Sequence, residues 1–193
     1  MPAPRSSRPA RLTLDQVVDT ALSILAPVGL PDLTMRAIGT ELGVQQSALY
    51  HHYANKQALL GSVADEILAR GPRTPSHDMA WQERVRLHCE DLHAAVTGYP
   101  DGADLVMSMW AFGMGGQAPF VELCDLLTVA GVPAESAPTA ARTLLHFVYG
   151  HAYDEQSHAH AARAGIASAD RRATSFGTGL DIILTGIATL VEE

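Results

Sequence analysis

The sequence predicts an all-α protein in which a small helix-turn-helix domain precedes a larger helical domain. Apolar residues recur three or four positions apart in successive stretches of the 193-residue chain, which is the spacing of one helix face. Eleven prolines and sixteen glycines separate these stretches, and only 6% of the residues are aromatic. This composition favours helices joined by turns over a β-sandwich. The 47% hydrophobic content is enough for a core.

The charges divide the chain into two parts. The net charge is −8, but residues 1–70 carry six basic and six acidic groups, which leaves seven basic and fifteen acidic groups for the rest. DNA phosphates would repel the acidic part, so only the neutral first part could approach DNA. We therefore expect two parts with separate tasks.

The chain is expected to be a soluble, cytoplasmic protein. Two cysteines, Cys89 and Cys124, are too few for a disulfide framework or a zinc module. The first residues lack the apolar run of a signal peptide, and the interrupted apolar stretch 182–191 is too short to span a bilayer. We expect no membrane partner.

Residues 1–12 are predicted to form a disordered basic arm. They contain proline, serine and three arginines, Arg5, Arg8 and Arg11, with little to bury. The arginines could contact phosphates or a minor groove, or the arm could be a solvated tail. The sequence does not decide between these two interpretations.

Residues 13–70 predict the first domain, three helices followed by a linking helix. A helix runs from Thr13 to about Leu25 and is expected to end at Pro27. Thr34 can cap a second helix, which Gly43 ends. A third follows at once. The linking helix covers 56–70, and the glycine and prolines of 71–75 mark the domain boundary.

The third helix has the layout of a recognition helix. Ala48, Leu49, His52 and Tyr53 lie on the side that must pack, whereas Gln45, Gln46, Ser47 and Tyr50 are polar and point outward. In a helix-turn-helix, this second helix of the motif enters the major groove. The outward amides can read purine edges, and Ser47 can bond either groove wall.

Residues 76–193 predict the second domain. Helical spacing is found over 81–96, 120–130 and 135–164, and a stretch rich in methionine and aromatic residues, 105–116, lies between the first two. That stretch fits a core or a pocket for an apolar guest. The last helix, 170–191, has an apolar stripe that needs a partner: Phe176, Leu180, Ile183, Ile187 and Leu190.

The first domain resembles the DNA-binding domain of the tetracycline-repressor (TetR) family of bacterial transcription factors. The resemblance is carried by Leu33, Thr34, Arg36, Ile38, Leu42, Gly43, Val44, Leu49, Tyr50, His52, Asn55, Lys56 and Leu59. It implies that Thr34, Tyr50, His52 and Lys56 contact phosphates, and that Arg36 contacts a base or a phosphate. Thr34 could also act only as a cap, and His52 only in packing.

The second domain resembles the ligand-binding domain of the tetracycline repressor type. The motif is carried by His146, Phe147, Gly150, Asp154, Glu155, Gln156 and His158. The resemblance and the apolar stretch together predict a ligand pocket formed by His88, Leu92, Met109, Trp110, Phe147, His151 and Asp154. Val106 stands where the family's magnesium-binding histidine is expected, which argues against a tetracycline–magnesium chelate. A small, mainly apolar effector is expected instead.

We predict neither a metal ion nor another cofactor. His151, Asp154 and His158 share one helix face and could in principle bind a divalent ion, but such histidines are more often hydrogen-bonded wall residues. No phosphate loop or nucleophile motif is present, so an enzyme is not expected.

The function predicted from the sequence is a homodimeric repressor that leaves a palindromic operator when a small molecule binds. The family resemblance implies dimerisation through the helices at 135–164 and 170–191, as in a four-helix bundle. The alternatives left open are an activator, a ligandless regulator and a small-molecule sequestering protein with a vestigial DNA-binding domain.

Overall fold

The computed structural model of the chain describes residues 12–75, 78–166 and 175–191. These residues form nine helices and no strand, as the sequence predicted. The helices are α1 Leu14–Val28, α2 Met35–Glu41, α3 Gln46–Leu49, α4 Lys56–Arg70, α5 Trp81–Thr97, α6 Gly102–Ala111, α7 Ala118–Val129, α8 Ala137–Arg163 and α9 Phe176–Ala188. Within the described ranges, no helix combines the length and the hydrophobicity that a bilayer crossing requires.

Residues 12–70, which contain the helices α1 to α4, form the head of the molecule, and α4 also links it to the body. A capping box begins α1: the Thr13 hydroxyl accepts from the Gln16 amide, and the Gln16 side chain accepts from the Thr13 amide. The helix continues through Pro27 to Val28, so the predicted end near Leu25 was three residues early. Proline in the last turn costs one hydrogen bond only, and Gly29, at φ 80°, ends the helix.

The turn between α2 and α3 depends on two glycines. Gly43 has φ 66°, a conformation that glycine adopts without strain. A Cβ on Gly39 would lie 3.1 Å from the Val44 carbonyl oxygen, so a larger residue there would push the turn away by a few tenths of an ångström. Leu49 is fully buried and Tyr53 nearly so, and they anchor α3 to the core of the head.

The linking helix α4 joins the head to the body. Leu59, Leu60 and Val63 are buried, as are Ile67 and Leu68 about one turn after Val63. The helix packs against α1 on one side and against α5 and α6 on the other. At Gly61 the backbones meet directly, because a Cβ there would lie 2.0 Å from the Met114 carbonyl oxygen.

The body is organised around α8, which packs against α5, α6, α7 and α9. Its residues Leu144, Leu145, Val148 and Tyr149 are fully buried. The prediction of a long helix over 135–164 is confirmed. The last helix α9 lies on α8 so closely that a Cβ on Gly179 would lie 2.5 Å from the Phe147 ring.

Some sequence predictions concern residues outside the described ranges. The basic arm is one, since residues 1–11 are not described. The start of the predicted last helix, 170–174, is another. Within α9, Leu184 is buried together with Leu180 and Ile187, whereas the predicted stripe omitted Leu184 and included the half-buried Ile183.

Candidate DNA interface and ligand cavity

The outward side of the recognition helix α3 is polar, and its inward side is buried. Gln45, Gln46 and Ser47 are exposed, and Tyr50 is 47% exposed, as the spacing predicted. The Gln46 amide donates to the Tyr50 hydroxyl at 3.3 Å, which fixes the two side chains relative to each other. The helix is only four residues long, so the buried Leu49, rather than a long helix, determines which side chains face outward.

The predicted phosphate-contacting residues surround this face. Thr34 caps α2, where its hydroxyl accepts from the Ala37 amide at 3.0 Å, so the capping role and an exposed position coexist. Arg36 is exposed on α2, and Lys56 begins α4 at the edge of the head. His52 is half-buried. The structure therefore brings all eight predicted DNA-binding residues to the region of α2, α3 and the start of α4.

The remaining described cation of the head, Arg70, lies at the far end of α4. Its guanidinium forms ion pairs with Asp19 of α1 and with Glu66 at 2.7 Å. Its charge is therefore compensated locally. Arg36 and Lys56 supply the positive charge at the α2 and α3 end of the head.

A cavity of about 140 Å³ lies between the end of α4, α5 and α7. Its lining combines apolar and polar side chains. The lining residues are Leu68, Pro72, Arg73, Thr74, Arg84, His88, Asp91, Leu92, Ala95, Ala118, Pro119, Glu122 and Leu126. Six of them are polar or charged, which is more than the one or two polar anchors expected from the sequence.

Ionic contacts organise the polar side of the cavity. The amide and the hydroxyl of Thr74 donate to the two oxygens of Asp91 at 2.6 and 2.8 Å. Glu122 lies 3.7 Å from both Arg73 and His88 Nδ1. Burial lowers the pKa of His88, and this effect outweighs the opposing attraction of Glu122. His88 therefore favours the neutral form.

Two polar atoms of the cavity lining lack a hydrogen-bond partner among the described residues. They are Arg84 Nε and His88 Nε2, and both are buried. A buried polar atom without a partner costs about 1–3 kcal/mol. A bound molecule with a hydrogen-bond acceptor would remove the cost at Arg84.

The predicted ligand-binding residues fall into four separate places. His88 and Leu92 line the cavity. Met109 and Trp110 are buried in the core, where Trp110 packs edge-on against Tyr149 at 5.8 Å between ring centroids. Phe147 and His151 belong to an aromatic cluster with His93 and Phe176. Asp154 is exposed on α8.

Sequence reasoning missed several cavity residues although a signal was present. Arg84, His88, Asp91 and Ala95 recur at helical spacing and place one polar face of α5 on the cavity. Glu122 lies on the facing side of α7. The prediction gave weight to the methionine and aromatic stretch, whose buried residues form core packing instead.

Hydrogen bonds connect the body to the head at two further points. The Leu30 amide of the head donates to Asp101 Oδ2 at 2.8 Å, and Asp101 is held in the left-handed region at φ 57°. Gln156 of α8 fixes this turn, because its side chain donates to the Tyr99 carbonyl at 2.8 Å and accepts from the Ala103 amide. At the second point, the Gly116 amide donates to Asp65 of α4 at 2.7 Å.

Comparison with known proteins gives matches over most of the chain. Residues 17–63 match the family model described as bacterial regulatory proteins, tetR family, and residues 74–174 match a tetracyclin repressor-like C-terminal domain. The tetracycline repressor protein class A from transposon 1721 of Escherichia coli is 33% identical over 153 residues, which cover 76% of this chain and 68% of that protein.

Solved structures show the same architecture. BioQ of Mycobacterium smegmatis is 38% identical, with a TM-score of 0.83 over 92% of this chain and 98% of its own. A structure of BioQ with its natural double-stranded DNA operator has a TM-score of 0.78 and covers 92% and 99% of the two chains at 38% identity. Streptomyces coelicolor ActR in complex with actinorhodin is 27% identical, with a TM-score of 0.78 over 95% and 99% of the two chains.

Proposed function

The chain belongs to the tetR family of bacterial regulatory proteins, and on that premise we propose that it is a homodimeric repressor released from its operator when a small molecule fills the body. It is a DNA-binding regulator of transcription. The observation that supports this best is the polar face of α3, exposed on a head that buried Leu49 and Tyr53 hold rigid. A rigid polar helix face of this kind suits the major groove.

The exposed side chains of the head divide into two roles. Gln45, Gln46 and Ser47 read base edges, because amides and hydroxyls match the donor and acceptor pattern of the major groove. Thr34, Tyr50, His52 and Lys56 position the head on phosphates, and Arg36 contacts a base or a phosphate. We assign the functional units to the boundaries expected from the sequence: residues 13–70 to DNA binding, residues 76–193 to effector binding and dimerisation, and the arm 1–12 to added positive charge.

Dimerisation uses the outer face of α8 and α9. Ile182 is 70% exposed and Leu190 is 41% exposed in the single chain. They line an apolar groove of about 420 Å³ together with the N-terminal turns of α8. A two-fold dimer through this face would form a four-helix bundle and place two recognition helices on half-sites about 34–36 Å apart.

The effector occupies the cavity between α4, α5 and α7. We assign it a mainly apolar body, which meets Leu68, Leu92 and Leu126, and a hydrogen-bond acceptor such as a carboxylate, which meets Arg84 Nε and His88. The curated repressors bear the name of tetracycline and the ActR structure contains actinorhodin. Those two compounds belong to the other proteins. The cavity of this chain has its own set of polar residues.

Release follows from the position of α4 between the cavity and the head. Leu68 and Pro72 at the end of α4 line the cavity, whereas Lys56 at its start lies on the DNA side. Between them, Gly61 is in backbone contact with the loop after α6. A guest that displaces the end of α4 would therefore tilt the helix about Gly61 and move the head, which lowers operator affinity by the same factor by which DNA lowers guest affinity.

The described residues offer little for catalysis. Burial raises the pKa of the Cys89 thiol to about 12, and burial also raises the pKa of Cys124, so neither thiol is a ready nucleophile. Members of this family are regulators, and we infer that this chain has no enzymatic activity. Because it acts on bacterial DNA, we place it in the cytoplasm.

Operator binding by two alanine variants, Arg36→Ala and its control Arg163→Ala, tests the assignment of the DNA-binding residues. The protein first selects its duplex from a random-sequence pool, and binding is then measured by fluorescence anisotropy at fixed salt. Arg36→Ala should weaken binding about tenfold or more, in line with roughly 1–3 kcal/mol for a specific contact. Arg163→Ala, the same change at the exposed end of α8, is the control and should bind like the wild type.

Two results of that titration would contradict the assignment. If the protein binds no duplex above its non-specific level, it is not a sequence-specific repressor. If both variants bind like the wild type, Arg36 has no part in reading or positioning, and the assignment of the α2 surface fails.

A further inference from the structure

A second polar cluster lies outside the cavity, between α5 and α8. It consists of His93 on α5 and of His151 and Glu155, one turn apart on α8. His93 Nε2 lies 3.0 Å from one Glu155 oxygen, and His151 Nδ1 lies 3.5 Å from the other. Glu155 therefore lies between two imidazoles from different helices.

The three ligand atoms have nearly the spacing that one ion requires. One nitrogen from each histidine and one oxygen from Glu155 all lie within 4.8 Å of one another. A tetrahedral zinc ion with bonds of about 2.1 Å holds its ligands about 3.4 Å apart. Rotations that move each atom by about an ångström or less would close the cluster around an ion, with a fourth position left for water.

Aromatic packing holds the two imidazoles in place. The His93 ring lies 4.5 Å from the Phe176 ring between centroids, and the His151 ring meets the same phenylalanine edge-on at 5.2 Å. The His93 and His151 side chains are 20% and 9% exposed, whereas Glu155 is 49% exposed. The histidines are thus fixed in a partly dry wall, and the carboxylate provides the open side for an ion to enter.

We propose that His93, His151 and Glu155 form a binding site for one divalent transition-metal ion of the Zn²⁺ type. Two imidazoles and one carboxylate suit zinc and its neighbours, whereas magnesium and calcium prefer oxygen ligands alone. The set differs from the His151, Asp154 and His158 face considered from the sequence, because His93 comes from another helix. The site does not depend on the proposed repressor function and is separate from the effector cavity.

Metal titration of the full chain with matched variants tests this site. After removal of metal with a chelator, the protein is titrated with ZnCl₂ in competition with a chromogenic zinc indicator. The wild type should bind one ion per chain tightly. Glu155→Gln and His93→Gln should each weaken that binding about a hundredfold or more, since loss of even an outer-shell partner costs 10–100-fold.

Asp154→Asn is the matched control for Glu155→Gln. It removes the same charge from the neighbouring position of the same helix, but its carboxylate is not in the cluster. It should bind Zn²⁺ within about twofold of the wild type, and MgCl₂ should not compete. Far-UV circular dichroism checks that each variant is folded, and the half-exposed Glu155 gives a variant that leaves the core intact.

Two outcomes would overturn the proposal. One is a wild type that binds zinc no more tightly than Glu155→Gln, which would mean that the cluster is only an ion pair between helices. The other is an equal loss in Asp154→Asn, which would move the ligands to the His151, Asp154 and His158 face. Because the readout is metal binding alone, either result leaves the repressor function standing.

Discussion

The proposed DNA-reading face and the proposed effector cavity are built in opposite ways. The reading face comes from one short stretch, residues 45–50, and its polar side chains project outward from an apolar anchor at Leu49. The cavity draws its lining from three helices separated by up to about fifty residues in sequence, and it buries polar atoms of Arg84 and His88 that have no partner among the described residues. On the proposed function, the reading face needs no further group, whereas a guest with a hydrogen-bond acceptor would stabilise the cavity. The proposal therefore places the trigger in the body and the response in the head.

The largest expected effect comes from separating the two copies of the chain. Ile182→Glu places a charge on the exposed apolar face of α9 and should convert the dimer into a monomer, because burying an unpaired carboxylate is costly. Operator affinity should fall by about a hundredfold or more, since one head then acts alone. Size-exclusion chromatography with light scattering gives the mass, and anisotropy gives the affinity.

Val129→Glu is the control for this change. Val129 is 78% exposed at the end of α7 and does not line the groove. It should stay dimeric and bind the operator normally. A dimeric Ile182→Glu variant would show that the interface lies elsewhere.

The next effect concerns the contact between α4 and the loop after α6. Gly61→Ala would place a methyl group against the Met114 carbonyl and should lower the free energy of unfolding by about 1–3 kcal/mol. Urea denaturation measures this change. Gly150→Ala has open space around the new methyl in α8 and should not lower stability. Equal stability of the Gly61 variant and the wild type would remove the proposed pivot.

A smaller effect is expected where Asp101 joins the body to the head. Asp101→Gly keeps the left-handed backbone but removes the acceptor for the Leu30 amide, whereas Asp101→Asn keeps both. Hydrogen exchange at Leu30 should accelerate about fivefold in the glycine variant, because one hydrogen bond contributes roughly 1 kcal/mol. Unchanged exchange in the glycine variant would mean that this bond does not protect the head.

The smallest effect is a dependence on pH. Burial lowers the pKa of His88 below its ordinary value of 6.5, so the unfolded state binds the proton more readily and stability falls as pH drops below about 6.5. His88→Gln should show a shallower loss between about pH 7.5 and 5.5, by at most about 1.4 kcal/mol per pH unit. Thermal unfolding at several pH values measures the slopes. Identical slopes would show that His88 does not contribute.

The contrast between a face built from one short stretch and a cavity built from three helices also explains how much the sequence could predict. The helices, the turn at Gly43 and the outward position of Gln45, Gln46 and Ser47 follow from local rules, because a period of 3.6 residues and a left-handed glycine act over a few positions. The end of α1 beyond Pro27 was missed because a proline in a last turn costs only one hydrogen bond. The cavity was predicted only in part.

Long-range packing accounts for that partial success. His88 and Leu92 were predicted as pocket residues and do line this cavity, but Glu122 joins them through the packing of α7 on α5, which no local pattern encodes. Trp110 was predicted for the pocket because its stretch is rich in methionine and aromatic residues, but it lies in the core. Likewise, Glu155 meets His93 across 62 positions of sequence, whereas the metal-binding face considered from the sequence lay on one helix and did not include Glu155.

The central claim, that filling the cavity weakens DNA binding by the head, has a direct test that needs no effector. Ala118 is an exposed residue of the cavity lining, and Ala118→Trp would add an indole that can fold into the cavity, whereas Ala111→Trp adds the same side chain at an exposed site outside the lining. Operator affinity of both variants is measured by anisotropy at fixed salt, with unfolding and dimer mass as checks. We predict that Ala118→Trp binds about 5–150-fold more weakly, the usual range of allosteric coupling, and that Ala111→Trp binds like the wild type. Equal operator affinity of two folded, dimeric variants would contradict the claim.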